Sequence, residues 1–219
     1  MDKKAPRLDI NPNKFLLNER PHLVEAAEWG VSDVMQLQGY MPNTRVDANE
    51  DTAQAITGFE FSLQVEHGSE QIDARYFLQM LEEKWHQFGM PKHRMLALTD
   101  RELITDEQGF VAGATSPNLQ FSVLSLADVI KSDASYGTQS RVTRHLVRRQ
   151  YGMMEGLPYD NETPGENSGL KIYHNEDLCT SKFTHDLPET VQLAEQLFGS
   201  STAGFCVGCA SKLRKNRVA

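Results

Sequence analysis

The chain has 219 residues, with 22 Lys or Arg against 30 Asp or Glu, so its formal net charge is −8. This length is enough for one domain with elaborations and a substantial core. Three cysteines are too few for a disulfide-stapled secreted scaffold. The negative charge argues against general binding to nucleic acid or to an anionic membrane surface. Because no apolar run could span a bilayer and no apolar segment follows the first lysines, we expect a cytoplasmic protein.

The first quarter of the chain carries weak patterns. Residues 1–20 are polar and contain scattered Pro and Asn, which predicts a loosely ordered N-terminal arm. A short helix is expected over 21–37, and the turn-rich, acidic stretch 41–55 is expected to be a surface loop. Apolar and polar residues then alternate over 59–65, which is the period of a half-buried strand.

The middle of the chain is more regular. Asp73 is placed to cap a helix over 74–88, in which large apolar residues recur at helical spacing. Residues 94–99 read as a buried strand, residues 109–114 as a short one, and residues 119–126 as a third.

The C-terminal third combines helices with a loop. Residues 140–151 (SRVTRHLVRRQY) have a helical pattern closed by Gly152, whereas 157–169, rich in Pro and Gly, reads as an insertion. An amphipathic helix is expected over 187–198, followed by a Cys-x-x-Cys pair and a basic tail.

The cysteines suggest a metal site. Cys206 and Cys209 have the spacing of a zinc knuckle, and Cys179 with His174 could supply the other half of a Cys3His set. This set predicts one structural zinc ion, with His185 as an alternative fourth ligand.

Other interpretations of these residues stay open. Cys179 could be a small buried apolar residue, and His174 a surface residue. Cys206 and Cys209 could be a redox pair, although a thioredoxin-like motif opens a helix near the start of a βαβ unit rather than lying close to the end of the chain.

The 140–151 helix has the spacing of a zinc-protease helix but lacks the residues that such a helix uses to bind the metal and activate water. Such a helix needs His at two positions four apart to hold one ion, with Glu after the first His to activate water. Here these positions are occupied by His145, Arg149 and Leu146. A guanidinium stays protonated and does not ligate zinc.

Several segments in one order carry a resemblance to a known family. They are ARYFLQML, LALTDRELI, GFVAGATS, FSVLSLADV, RVTRHLVRRQYG and CVGCASKLRK. Over about two-thirds of its length, the chain resembles the archaemetzincins, zincin-fold metalloproteases whose active helix reads His-Glu-x-x-His-x-x-Gly-x-x-His-Cys. In that family the helix is followed by x4-Cys-x-Met and, farther on, by Cys-x-x-Cys.

The resemblance maps onto the catalytic positions one by one. His145 falls on the first His, Leu146 on the Glu, Arg149 on the second His and Gly152 on the Gly. Without an insertion, Glu155 would stand at the third His.

If 157–169 is an insertion, Tyr173 would replace the third His instead, and His174 the neighbouring Cys. Cys179 matches the next Cys, whereas Ser181 replaces the Met. The final pair matches Cys206 and Cys209, so the resemblance also implies the structural zinc site.

A catalytic metal is not expected. An ion held by His145, Glu155 and a distant carboxylate would face the charge of Arg149. At an effective dielectric near 20, a dication about 4 Å from a unit positive charge is opposed by about 8 kcal/mol. The sequence therefore predicts His145, Arg149 and Glu155 as remnants of a catalytic site that has been lost.

Arginines dominate one side of the same helix. Arg141, Arg144 and Arg148 lie within about 60° on a helical wheel, and His145 and Arg149 continue that side. They form either an ordinary solvated face with acidic partners or a cleft for an anion or a peptide carboxylate.

Taken together, these patterns predict an α/β fold with a zincin-like mixed sheet and packed helices. The expected parts are the arm 1–20, an α/β domain 21–152 that contains the degenerate active-site helix, and a small zinc-bound C-terminal subdomain 153–219. The expected function is that of a pseudoprotease, a binding or regulatory module that takes a peptide segment at edge strand 109–114. The alternative is an active zinc-dependent metallopeptidase or hydrolase with an altered metal site.

Overall fold

The structure is a computed structural model that describes residues 7–41, 44–46, 50–67, 71–87, 94–105, 109–157, 205 and 207–215. Its helices are α1 (Lys14–Glu19), α2 (Pro21–Leu37), α3 (Glu50–His67), α4 (Ala74–Gln87), α5 (Ala127–Lys131), α6 (Tyr136–Met154) and α7 (Val207–Lys215). Its strands are β1 (Leu8–Pro12), β2 (Thr44–Val46), β3 (Ile72–Asp73), β4 (Arg94–Thr99), β5 (Leu103–Thr105), β6 (Gly109–Val111), β7 (Gly113–Thr115) and β8 (Phe121–Ser125).

Five strands form the main sheet, in the order β2-β1-β4-β8-β7. The first four are parallel to their neighbours, and β7 runs antiparallel to β8 at one end of the sheet. A smaller sheet of three strands has the order β3-β5-β6, with β5 and β6 antiparallel. The fold is therefore α/β with a mixed sheet, as the sequence predicts.

Two apolar clusters cover the two faces of the main sheet. Alternate residues of a strand point to opposite faces, so Leu96 and Leu98 of β4 join the cluster formed with α2, α6 and α7. Met95 and Ala97 of the same strand join the cluster formed with α3 and α4. The helices thus form one layer on each side of the sheet.

Helices α2 and α6 pack closely at one glycine. A Cβ added to Gly30 would lie 2.6 Å from the Arg144 carbonyl oxygen and 2.9 Å from the Val147 Cβ. The absence of a side chain at Gly30 therefore allows the two helix backbones to approach.

The N-terminal prediction is wrong from Leu8 onward. Residues 8–12 are a strand that pairs with both β2 and β4, and α1 follows directly. Leu8 and Ile10 are fully buried on one face of the sheet, whereas the buried residues of the other face are Asp9 and Asn11. The strand escaped detection because those two polar residues interrupt its apolar pattern.

The predicted strand 59–65 is also wrong, because 50–67 is the single helix α3. The predicted loop 41–55 is wrong over 44–46, which form β2, and over 50–55, which begin α3. Ile56, Phe59 and Leu63 of α3 are buried at helical spacing, whereas Phe61 is 67% exposed. Ile56, Phe59 and Leu63 therefore lie on one buried face of a helix, although the residues of 59–65 alternate in sequence. Phe59 of this face packs edge-on against Phe77 of α4.

Other elements agree with their predictions. Asp73 accepts hydrogen bonds from the backbone N–H groups of Arg75 and Tyr76 at the start of α4. The helix at 21–37, the strand at 94–99 and the core of the strand at 119–126 are confirmed.

Two predicted elements differ in extent or fall outside the description. Residues 109–114 form parts of two strands, β6 and β7, that belong to different sheets. The predicted helix 187–198 and the insertion 158–169 lie outside the described residues. None of the helices in the described part of the chain combines the length and the apolar character needed to cross a bilayer.

Candidate functional site

Helix α6 holds His145, Leu146, Arg149 and Gly152, four of the positions at which the sequence predicts a degenerate catalytic motif. The Ser135 hydroxyl caps it by accepting a hydrogen bond from the Thr138 N–H, and the helix continues to Met154. Most of its residues from Val142 onward are buried, because it lies between α2, the sheet and the segment that ends at Leu157. The predicted remnant positions His145 and Arg149 therefore lie on a helix that is packed from several sides.

His145 is a neutral imidazole at physiological pH. The residue is 5% exposed, and its pKa is lowered to about 3 by burial and by the charges of Arg148 and Arg149. Burial disfavours the charged imidazolium, and neighbouring guanidinium groups disfavour it further. The same positive charges oppose a metal cation beside this ring.

Leu146 stands where the predicted motif would have its general base. It is 5% exposed and belongs to the apolar cluster between the sheet, α2 and α6. A side chain without a titratable group can neither accept a proton from water nor hold a charge.

Two of the predicted cleft arginines are bound to one acid of α2. Arg144 donates to both oxygens of Asp33 at 2.6 Å, and Arg148 donates to Asp33 Oδ2 at 2.6 Å. The Arg144 guanidinium also lies over the Trp29 ring, 5.4 Å from its centroid. This clamp fixes α2 against α6, so these two guanidinium groups hold a carboxylate of the protein itself.

The other predicted cleft residues are placed differently. Arg141 is exposed on the first half of α6, and Arg149 is partly exposed one turn after His145. The anion or peptide cleft made of all five residues stays a prediction.

Glu155 lies beyond the end of α6 and far from His145. Ten residues separate them, and a helix rises 1.5 Å per residue, which amounts to about 15 Å along the axis. The Glu155 carboxylate is paired with Arg94 of β4 and accepts a hydrogen bond from Gln38 at 2.9 Å. It therefore ties the ends of α2 and α6 to the start of β4, and it cannot share an ion with His145 in this arrangement.

The turn after the helix lies one helical turn later than the motif predicts. Gly152 is inside α6, and it is Gly156 that has a left-handed backbone, with φ of 81°. Gly152 instead gives room for close packing, since a Cβ there would lie 2.9 Å from Leu157 Cδ1 and 3.1 Å from Phe205 Cε1.

Gln150 connects α6 to the end strand of the main sheet. Its Nε2 lies within hydrogen-bond distance of Ala114 O at 3.0 Å, Thr115 Oγ1 at 2.9 Å and Ser122 Oγ at 2.5 Å. A Cβ on Gly113 would lie 2.5 Å from Gln150 Oε1, so the glycine leaves space for this side chain under β7.

Comparison with known proteins gives structural matches alone. No family model and no curated protein matches the chain. The solved structures that it resembles include the archaemetzincin of Methanopyrus kandleri, with a TM-score of 0.61 and 16% identity over 98% of this chain and 97% of that chain. They also include a zinc-dependent peptidase of Methanocorpusculum labreanum, with a TM-score of 0.58 and 14% identity over 95% of this chain and 100% of that chain. The chain has the archaemetzincin fold.

A third match is the archaemetzincin of Archaeoglobus fulgidus in complex with malonate, with a TM-score of 0.50 and 15% identity over 94% of this chain and 99% of that chain. All three alignments span nearly the whole of both chains, so the archaemetzincin fold extends well beyond the motifs that suggested it.

The catalytic zinc of a metalloprotease does not fit the described residues. Zinc needs three protein ligands in a catalytic site, whereas α6 offers His145 beside Leu146 and Arg149. In the described part of the chain, no group of three or more His, Cys, Asp or Glu is placed to hold a metal ion. The archaemetzincin fold is therefore present here without the ligand pattern on α6.

Of the residues predicted to bind a structural zinc ion, the structure describes Cys209. Cys209 is 3% exposed, lies in α7 and belongs to the same apolar cluster as Phe205 and Leu213. His174, Cys179, His185 and Cys206 lie outside the described residues.

Sequence reasoning missed Asp33 and Gln150. Neither has a motif around it, and each acts on residues far away in the chain. The only sequence feature that pointed to Asp33 was the excess of arginines on α6. It indicated an acidic partner but not the position of that partner in the chain.

Proposed function

We propose that the protein is a pseudoprotease on the archaemetzincin fold that binds an extended peptide segment and does not cleave it. One observation carries this proposal. The positions that would supply metal and base on α6 hold a buried neutral imidazole, a core leucine and a guanidinium.

The electrostatics of α6 support the loss of catalysis. Arg148 is 5% exposed and Arg149 lies one turn from His145, so the face that would hold a dication already carries positive charge. Leu146 removes the proton acceptor in addition. Restoring a catalytic centre would require at least two changes of residue type together.

Strand β7 supports the binding part of the proposal. Among the described strands it lies at one end of the main sheet, where it pairs with β8. Ala112 O and Ser116 N–H bond to β8, and backbone groups alternate along an antiparallel strand. The Thr115 N–H therefore points away from β8, in the direction from which a peptide strand would pair.

A structural zinc completes the proposal. Zinc-dependent peptidases share this fold, and Cys209 is buried at the edge of the core as a knuckle ligand would be. We assign His174, Cys179, Cys206 and Cys209 as the ligands of one zinc ion, which would fasten the C-terminal part to the domain.

Metal content and activity test the catalytic part. Elemental analysis and native mass spectrometry of the purified chain should show one zinc per chain, retained in His145→Ala and lost in Cys209→Ser. A peptide library should remain uncut. Two zinc ions per chain, or cleavage that disappears in His145→Ala or Glu155→Ala, would instead support the alternative, an active metallopeptidase with an altered site.

Two variants at one position test the binding part. Thr115→Pro removes the outward N–H of β7, whereas Thr115→Val removes only the hydroxyl. Peptides selected by the wild-type protein from a displayed library should lose at least tenfold in affinity for the Pro variant and keep most of it for the Val variant. Equal affinity for all three proteins would exclude β7 as the binding edge.

A further inference from the structure

A buried polar cluster lies at the opposite face of the sheet from α6. The Asn13 Nδ2 donates to Glu60 Oε1 at 2.8 Å and to Asp100 Oδ1 at 2.5 Å. Thr99 Oγ1 donates to the same Glu60 oxygen at 2.6 Å. We call Asn13, Glu60, Thr99 and Asp100 the Glu60 cluster.

The cluster joins three elements at the ends of adjacent parallel strands. Asn13 follows β1, Thr99 ends β4, and Glu60 reaches them from α3. Asn13, Glu60 and Thr99 are each 3% exposed or less. Asn13 also caps α1, because its Oδ1 accepts a hydrogen bond from Leu16 N–H at 2.9 Å.

Two carboxyl groups meet at a single amide. Because the Glu60 and Asp100 oxygens lie 2.8 and 2.5 Å from the same nitrogen, they are at most about 5.3 Å apart, the sum of those distances. The charge of Asp100 at this separation disfavours ionisation of the Glu60 carboxyl group, which is itself buried.

The charged groups near Glu60 do not fully offset a negative charge on its carboxylate. Asp100 and Arg101 face it from the end of β4. On α1 the Lys14 ammonium pairs with Glu50, and on β1 Asp9 pairs with Arg7. Burial is the largest cause that raises the pKa of Glu60, to about 7, with Asp100 adding to it against the hydrogen bonds from Thr99 and Asn13 and the charge of Arg101.

We propose that the Glu60 cluster is a pH-sensitive latch in which the buried Glu60 carboxyl group carries a proton beside the Asp100 carboxylate. With the proton present, the Asn13 amide bridges a neutral and an ionised carboxyl group and holds α1 and α3 on the sheet. When the proton leaves, the buried Glu60 carboxylate faces the like charge of Asp100, and α1 and α3 loosen from the ends of β1 and β4. This device is independent of the chemistry on α6.

Carbon-13 NMR of the side-chain carboxyl groups tests whether Glu60 carries this proton. The Glu60 resonance, assigned by its loss in Glu60→Gln, should titrate near neutral pH, and Asp100→Asn should move that midpoint to lower pH by removing the second charge. A Glu60 midpoint in the ordinary acidic range in the wild-type protein would overturn the proposal.

Hydrogen exchange tests the latch itself. Between pH 6 and pH 8.5, protection factors of amides in α1 and α3 should fall at least tenfold in the wild-type protein, while those in β8 and α6 stay within about twofold. Glu60→Gln keeps an oxygen acceptor for Asn13 and Thr99 and should abolish the change. If α1 and α3 keep their protection at pH 8.5, or if the Gln variant loses it equally, the latch is excluded.

Discussion

The Arg148 guanidinium on α6 is held by the Asp33 carboxylate on α2, with its Nε 2.6 Å and a terminal nitrogen 2.5 Å from Asp33 Oδ2. Arg148 is 5% exposed, and the Asp33 carboxylate that pairs with it also pairs with Arg144. The pair connects α6, which carries His145 and Arg149, to α2.

Asp33→Asn should lower the free energy of unfolding by about 3 kcal/mol, because it removes the carboxylate that pairs with both guanidinium groups, one of them buried. Urea denaturation measures the change. Adding Arg148→Met should recover part of the loss, since Met keeps the apolar stem and removes the charge. A loss below about 1 kcal/mol in the Asn variant would show that the pair is not a determinant of stability.

Glycine substitutions separate close packing from helix propensity. Gly30→Ala should destabilise the protein by at least about 2 kcal/mol, because its Cβ would meet the backbone of α6 at 2.6 Å. Gly58→Ala is the matched control in the interior of α3, where a Cβ meets nothing within 4 Å. Thermal and urea unfolding should show the control to be stabilised by up to about 1 kcal/mol.

The pH dependence of stability should reveal Glu60. Its folded pKa of about 7 lies above the usual value of 4.5, so the folded state binds more protons between these values and stability falls as pH rises. From pH 5 to pH 8 the wild-type protein should lose about 2.5 kcal/mol relative to Glu60→Gln. Urea unfolding over this range gives both curves, and parallel curves would contradict the assignment.

His145 should contribute a slope of opposite sign. Its folded pKa of about 3 lies below the usual 6.5, so the unfolded state binds the extra proton and stability is lost as pH falls through 6.5 towards 3. Between pH 7.5 and pH 5 the wild-type protein should lose about 2 kcal/mol relative to His145→Gln. Urea unfolding curves at both pH values measure this difference in stability. An equal loss in the two proteins would show that the His145 imidazole is exposed to water.

Gln150 should anchor β7. Replacing it with Leu removes a buried donor to Ala114 and Ser122, which should cost about 2 kcal/mol and speed amide exchange in β7. Gln36→Leu on the exposed side of α2 is the control and should change stability by less than about 0.5 kcal/mol. Unchanged exchange in β7 would show that the strand is held by β8 alone.

The sequence by itself determined those helices and strands in which the local pattern of apolar and polar residues matches the pattern of buried and exposed side chains. Asp73 begins α4 because its carboxylate caps the helix locally, and 94–99 is a strand because its apolar run fills both sides of the sheet. The resemblance on α6 was also readable from sequence, since His145, Leu146 and Arg149 follow one another at motif spacing. The solved structures confirm the fold that this resemblance implied.

The tertiary structure decided what depends on distant partners. Residues 59–65 alternate like a strand, yet they are helical because Phe59 packs on Phe77 and Glu60 reaches Thr99 on the sheet. Asp33 lies more than a hundred residues from the arginines that it binds. A local sequence pattern shows periodicity and charge. It does not show which distant side chain will neutralise a buried charge, because that pairing depends on how the chain folds.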